Sequence, residues 1–243
     1  MWLLYCTSPP LLRKENIMPP SKIDVINYAL VLAGEKQINA TTDPVKAAKL
    51  ADSMWEIVTL AVCDNPYVDW KFQTVRGTLS ELSDTPASGY DHQYAYPDNA
   101  RRIIATINED DDTIEFKWRR ELYIDSSNKE YDVLLTNEDT VRVKYLVYRA
   151  DPAKWPGWYV ELVATKLAVV VSEPLKQDKK HREQLRSMLL TAVETAMAGN
   201  QREDTDVNAE NEDLDKGNTS VVGAAVAGFL GPDWSNWGKR RIL

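Results

Sequence analysis

The sequence predicts an α+β fold. Two helical hairpins, one near each end, form a four-helix cluster, an antiparallel β-sandwich or barrel-like domain is inserted between them, and an extended C-terminal tail follows. Three observations predict it. Apolar residues recur at three- and four-residue steps toward both ends of the folded part, the period shortens toward two in the middle, and after Arg202 acids replace apolar residues. The boundaries that follow are a disordered extension over residues 1–20, a helical bundle from 21–66 plus 152–203, a β domain over 67–151 and a docking tail over 204–243.

Each element has a local reason. Ser21 with Asp24 approximates a capping box, and Ile23, Ile26, Leu30 and Ala33 repeat at helical spacing up to Gly34. Asp43 and Pro44 supply an N-cap and an N1 proline for a second helix, whose face Ala47, Leu50, Ala51, Met54, Trp55, Val58, Ala61 and Val62 ends at Asn65-Pro66. Toward the other end, residues 158–172 are apolar almost all round, as expected of a helix with several neighbours. Pro174 and the charged residues up to Arg182 mark a corner, since proline inside a helix costs about 3 kcal/mol. Leu185, Met188, Leu189, Ala192, Val193, Ala196 and Met197 then form one stripe, with Gly199 as the stop. Neither hairpin can bury its stripe alone, and a four-helix cluster is the economical solution.

Between the hairpins, Trp70, Phe72 and Thr74 alternate with polar neighbours. Short β-rich runs follow at 103–105, 113–118, 122–124, 131–135 and 140–148, spaced about ten residues apart. Their pairing order stays open. The segment 204–215 is acidic and poor in apolar residues. From Thr219 the tail carries small apolar residues, then Phe229, Leu230, Trp234, Trp237 and the basic run Lys239, Arg240, Arg241. Tryptophan and arginine are enriched at the buried centres of interfaces, so the tail reads as a docking peptide. The alternative is that its tip folds back on its own domain.

The chain of 243 residues, 44% of them hydrophobic, can bury a real core, and its net charge of −8 argues against nonspecific attraction to nucleic acid or anionic membrane. Cys6 and Cys63 are too few for a disulfide framework or a cysteine metal site, and suit a reducing cytosol. No apolar run approaches the roughly 18 residues of a membrane span. The opening Trp2-Leu3-Leu4-Tyr5-Cys6 lacks the basic region of an export signal, and residues 1–17 read as an extension or a misplaced start.

The remaining motifs offer little chemistry. His92, in a polar loop, and His181, in the charged corner, both read as solvated, without a nucleophile to serve. There is no phosphate-binding glycine loop, no His-Glu-x-x-His and no cysteine pair, and the acidic residues Glu109, Asp110, Asp111 and Asp112 read as a hairpin tip rather than a cation loop. The sequence therefore predicts no enzyme, cofactor or metal. Tyr90, Tyr94 and Tyr96 beside Arg101 and Arg102 combine aromatics and bases, but tyrosines packing a loop onto a sheet explain them at less cost. Arg119 and Arg120, and Lys144, fall on expected solvent faces of strands, where weak, sequence-independent contacts to a DNA passage would suffice.

The ordered series resembles the head-to-tail adaptors of short-tailed bacteriophages, the tail tubular protein A family. The residues that carry the resemblance are Asn27-Tyr28-Ala29-Leu30 through Gly34-Glu35, Asp43-Pro44, Trp70-Lys71-Phe72, Pro97-Asp98-Asn99-Ala100-Arg101-Arg102, Val141-Arg142-Val143-Lys144-Tyr145 before Trp155-Pro156-Gly157-Trp158, and the closing helix, proline, charged turn and long helix. It spans residues 21–203; the first twenty residues and the Trp-bearing tail depart from it. The resemblance implies a structural virion protein, made in the host cytoplasm, that forms a connector ring of about twelve copies between the portal and the tail tube or nozzle. Such a ring lines the path of genomic double-stranded DNA during ejection, without sequence specificity and without a membrane partner. By the same likeness Phe229, Leu230, Trp234, Trp237, Lys239, Arg240 and Arg241 become portal contacts, and Arg119, Arg120 and Lys144 channel-lining residues. Two other classes remain as alternatives. One is a virion-associated cell-wall hydrolase using acids such as Glu161 or Asp98, although nothing marks the required carboxylate pair. The other is a soluble cytosolic binding module.

Overall fold

The computed structural model describes residues 18–84, 86, 89–176, 178–203 and 228. Among the described residues four α-helices, α1 (Lys22–Leu32), α2 (Lys46–Cys63), α3 (Gly157–Lys176) and α4 (Lys179–Arg202), flank seven strands. These are β1 (Thr74–Thr78), β2 (His92–Ala95), β3 (Ala100–Ile107), β4 (Thr113–Ile114), β5 (Trp118–Ile124), β6 (Glu130–Thr136) and β7 (Arg142–Val147). The expectations for residues 1–17 and for most of the tail, including Phe229, Leu230, Trp234, Trp237, Lys239, Arg240 and Arg241, lie outside the described residues.

Helix α1 starts on the reciprocal capping box of Ser21 and Asp24, and the chain leaves it through Gly34 at φ 73°. Asn27 then brackets Ile38 with two hydrogen bonds, at 2.9 Å to its carbonyl and 2.8 Å from its N–H, which aims the loop toward α2. That helix begins two residues later than its sequence signal, with Val45 at the N-cap. The Asp43 carboxylate instead accepts from the N–H groups of Asn39 and Ala40, closing the loop rather than capping the helix.

The expected four-helix cluster does not form. Helix α3 packs against α1, α2 and α4, whereas α4 makes its extensive helical contact on α3 alone. What closes the core is the β unit: Leu146 of β7 is fully buried among the helical residues, and Ile104, Tyr148 and Phe72 pack against the same cluster. The prediction assumed that only another helix could cover each stripe, but one face of a sheet covers apolar surface equally well. Around the junction the aromatic rings interlock. Trp55 stacks on Trp155 at 5.9 Å, Trp70 on Trp158 at 5.7 Å, and Phe72 meets Tyr159 edge-on at 4.8 Å.

Three local expectations are corrected in the same region. Residues 71–73 form a 3-10 turn rather than the start of an alternating strand, and Trp70 is fully buried with its indole N–H bonded to the Val62 carbonyl at 2.9 Å. Pro174 lies inside the last turn of α3, and the corner falls two to four residues later, where Asp178 caps α4 by accepting from the Lys180 and His181 N–H groups. Gly199 does not stop α4, which runs on to Arg202; a Cβ there would stand 2.5 Å from Cδ1 of Trp158, so the glycine marks where α4 touches the aromatic cluster.

All strand pairing is antiparallel, in the orders β1-β7-β3-β4 and β2-β6-β5. The segment after β1 joins the two sheets: Leu79 donates to the Val141 carbonyl, Ala95 to Ser80 and Leu82 to Gln93. The result is one curled half-barrel whose outer strands are β4 and β5. Its interior holds Leu79, Tyr94, Leu134, Val141 and Val143. On β7, Val143 belongs to this interior and Leu146 to the helical core, so opposite faces of one strand serve two cores.

Candidate functional site

The residues expected to meet DNA fall on two sheets. Arg119 and Arg120 are adjacent on β5 and therefore point to opposite faces. Arg119 is largely exposed and pairs with Glu121 at 3.2 Å. Arg120 lies over the Tyr96 ring at 4.1 Å and bonds Asp132 at 2.7 Å, which holds its pKa above the ordinary arginine value. Lys144 lies on β7 in the other sheet, half-buried and directly opposite Arg76 of β1. The fold does not bring Lys144 together with the two arginines. Arg76 and Arg142 instead approach the acidic hairpin tip, each within 4 Å of Asp111, at 3.6 and 3.7 Å.

Arg120 also lines a cleft of about 520 Å³ between the 95–101 loop and the β5–β6 hairpin. Arg101, Lys129, Asp98, Glu130 and Asp132 complete its charged rim, so cations and anions balance there and no net charge selects a ligand. Lys129 stands over the Tyr131 ring at 4.6 Å. Of the two acids weighed for hydrolysis, Asp98 lines this cleft, while Glu161 lies on α3 near Tyr28, whose pKa is raised by burial and then by that carboxylate. The two acids do not share the cleft.

Arg101 and Arg102 prove to be clamps. Arg101 bonds Asp64 at the end of α2, and Arg102 reaches the carbonyls of Asn65 and Val68 at 2.8 and 2.7 Å and pairs with Asp69. Tyr94 is itself a residue of β2 rather than of a loop packed onto the sheet; it is buried in the interior of the β unit and donates to the Glu138 carbonyl at 2.8 Å. His92 belongs to β2 rather than to a loop. Its Nδ1 is 2.6 Å from Glu81 and its Nε2 3.2 Å from Asp139, and the hydrogen bond to Glu81 raises its pKa above the ordinary histidine range. These carboxylates are 11 and 47 residues away in sequence, too distant for local spacing to reveal.

Neither known protein families nor curated proteins match this chain. Among the described residues, no group of three or more His, Cys, Asp and Glu side chains is arranged to hold a metal, and no helix is long and apolar enough to cross a membrane. Cys63 is buried at the end of α2, and burial pushes its thiol up to about 12, leaving little thiolate for nucleophilic work.

Proposed function

We propose that the protein is a structural head-to-tail adaptor of a short-tailed phage virion: a ring-forming connector without catalysis that joins a portal to the tail tube or nozzle and lets DNA pass. One observation supports the reading above the others. The antiparallel β unit is inserted between α2 and α3, and β7 carries Leu146 into the helical core while its other face closes the half-barrel. Two ends, one helical and one of β-sheet, joined through a shared strand suit a connector that meets a different neighbour at each end. In this reading the helical end meets the portal, with the tail residues Phe229, Leu230, Trp234, Trp237, Lys239, Arg240 and Arg241 as contacts, and the β end meets the tail tube. Arg119 is the channel residue with the most exposed side chain, 68%, and contributes a weak phosphate contact. The deciding measurement is the mass of the purified protein in solution, alone and with its cognate portal, for the full chain and for a chain ending at Gly217. The reading expects a ring in the presence of portal and none from the truncated chain. A full chain that stays monomeric and ignores the portal overturns it.

A further inference from the structure

We propose that the turn Asn65-Pro66-Tyr67 after α2 is an intramolecular docking surface for the C-terminal segment of this same chain, seated through Gly228. Gly228 lies against this turn: a Cβ placed on it would stand 3.1 Å from Nδ2 of Asn65 and 3.5 Å from Cδ2 of Tyr67. Any larger side chain must displace the Asn65 amide, and that amide is not free to swing. Asn65 is 3% exposed, its Oδ1 accepts from the Tyr67 N–H at 3.0 Å, and its carbonyl is held by Arg102.

The turn is rigid on every side. Arg101 grips Asp64, Arg102 grips Asn65, Val68 and Asp69, and the Trp70 indole ties back to Val62. Helix α4 ends at the same corner, where the Asn200 amide accepts from the Lys71 N–H at 2.8 Å and donates to the Asp69 carbonyl at 2.9 Å. The chain thus departs from this corner a few residues after Asn200 and returns to it at Gly228. Tyr67, 51% exposed, offers the apolar ring against which the returning backbone rests.

The consequence is reach. Residues 229–243 extend at most about 50 Å from an anchor at Gly228, whereas residues 204–243 released from Glu203 would extend about 140 Å. Anchoring confines the aromatic and basic tip to a smaller volume and raises its effective concentration at a neighbouring surface. The anchor stands whether or not that surface belongs to a portal.

The test is paramagnetic broadening in the full chain. A spin label is placed at Phe229→Cys in a Cys6→Ser background, where buried Cys63 does not compete for the label. The expected result is loss of the Asn65 side-chain amide and Tyr67 backbone amide signals. Those signals recover when Gly228→Leu is added, while the Trp70 indole signal stays at its folded position. A Tyr67→Ser chain, which leaves Gly228 intact, should recover the Asn65 signal as well. Full-intensity signals in the labelled chain, or broadening that persists in Gly228→Leu, overturn the proposal. So does broadening seen only when labelled and isotope-enriched chains are mixed, because the occupant is then a second copy.

Discussion

Replacing Gly199 by alanine pits two opposed effects against each other, and their magnitudes decide the sign. In the interior of α4 alanine is favoured over glycine by about 1 kcal/mol. Against this, the new methyl would stand 2.5, 2.7 and 2.8 Å from Cδ1, Nε1 and Cγ of Trp158. The indole has nowhere to retreat, since it stacks on Trp70 at 5.7 Å and meets Phe72 edge-on at 5.6 Å. Overpacking of this kind costs about 1–3 kcal/mol, and each disturbed aromatic pair about 0.5–1.5 kcal/mol more. The net expectation is destabilisation by about 1–3 kcal/mol, read by urea unfolding, with the thermal midpoint falling roughly 2–4 °C per kcal/mol. In a Trp158→Leu background the same substitution should change sign and stabilise by up to about 1 kcal/mol, because the obstruction is gone. Stabilisation of the otherwise unaltered chain by Gly199→Ala would refute the close approach of α4 to the ring.

Three further outcomes follow from single contacts. Asn200→Ala removes two bonds that fasten α4 to residues 69–71 in a part-buried position, so it should cost about 1–2 kcal/mol in chemical denaturation; a loss near zero would contradict the geometry. His92 binds its proton more tightly folded than unfolded, so its contribution to stability is complete below its unfolded value near 6.5 and disappears as pH rises through its raised folded value; the thermal midpoint should fall across that window, and less so in His92→Gln. Cys63, its thiol raised to about 12 by burial, should react with a thiol reagent at pH 8 only at the rate of opening, and rapid labelling of a folded Cys6→Ser chain would show the site to be accessible.

Helix existence was legible because periodicity reports a buried face: of the predicted stripe Leu185, Leu189, Ala192, Val193, Ala196 and Met197 are buried, whereas Met188, at the edge of that face, is 45% exposed. What covers that face was not legible. Leu146 and Ile104 look in sequence like any strand residues, and nothing local says that they face helices rather than the barrel interior. Helix ends failed where glycine, proline and aspartate had alternative uses. Asp43 closes a loop, Gly199 makes room for a ring, and Pro174 is tolerated in a final turn where the helix is about to end. Strand β2 was missed because Tyr90, Asp91, His92 and Gln93 are polar, yet Gln93 is buried by bonding its amide to the Asp84 carbonyl. Among the basic residues, charge alone did not separate a clamp from an exposed cation. Arg102 and Arg119 read alike in sequence, and only the carbonyls converging on Arg102 distinguish them.

The way the two cores meet bears on how force would pass through such a body. Two domains on a linker rotate freely unless a large apolar interface stops them. Here β7 belongs to both cores, the Thr59 and Tyr148 hydroxyls bond at 2.8 Å across the seam, and the Trp155 indole ties the start of α3 to the Arg149 carbonyl at 2.7 Å. Tilting the half-barrel against the helices would expose Leu146 and separate Phe72 from Tyr159 and Trp158, and close-packed interiors resist such shear because no partial displacement recovers the lost contacts. The connector proposed above, holding one neighbour at each end, would gain from that stiffness. The aromatic cluster at residues 70, 72, 155, 158 and 159 is accordingly where substitutions should loosen the junction of the two cores most widely.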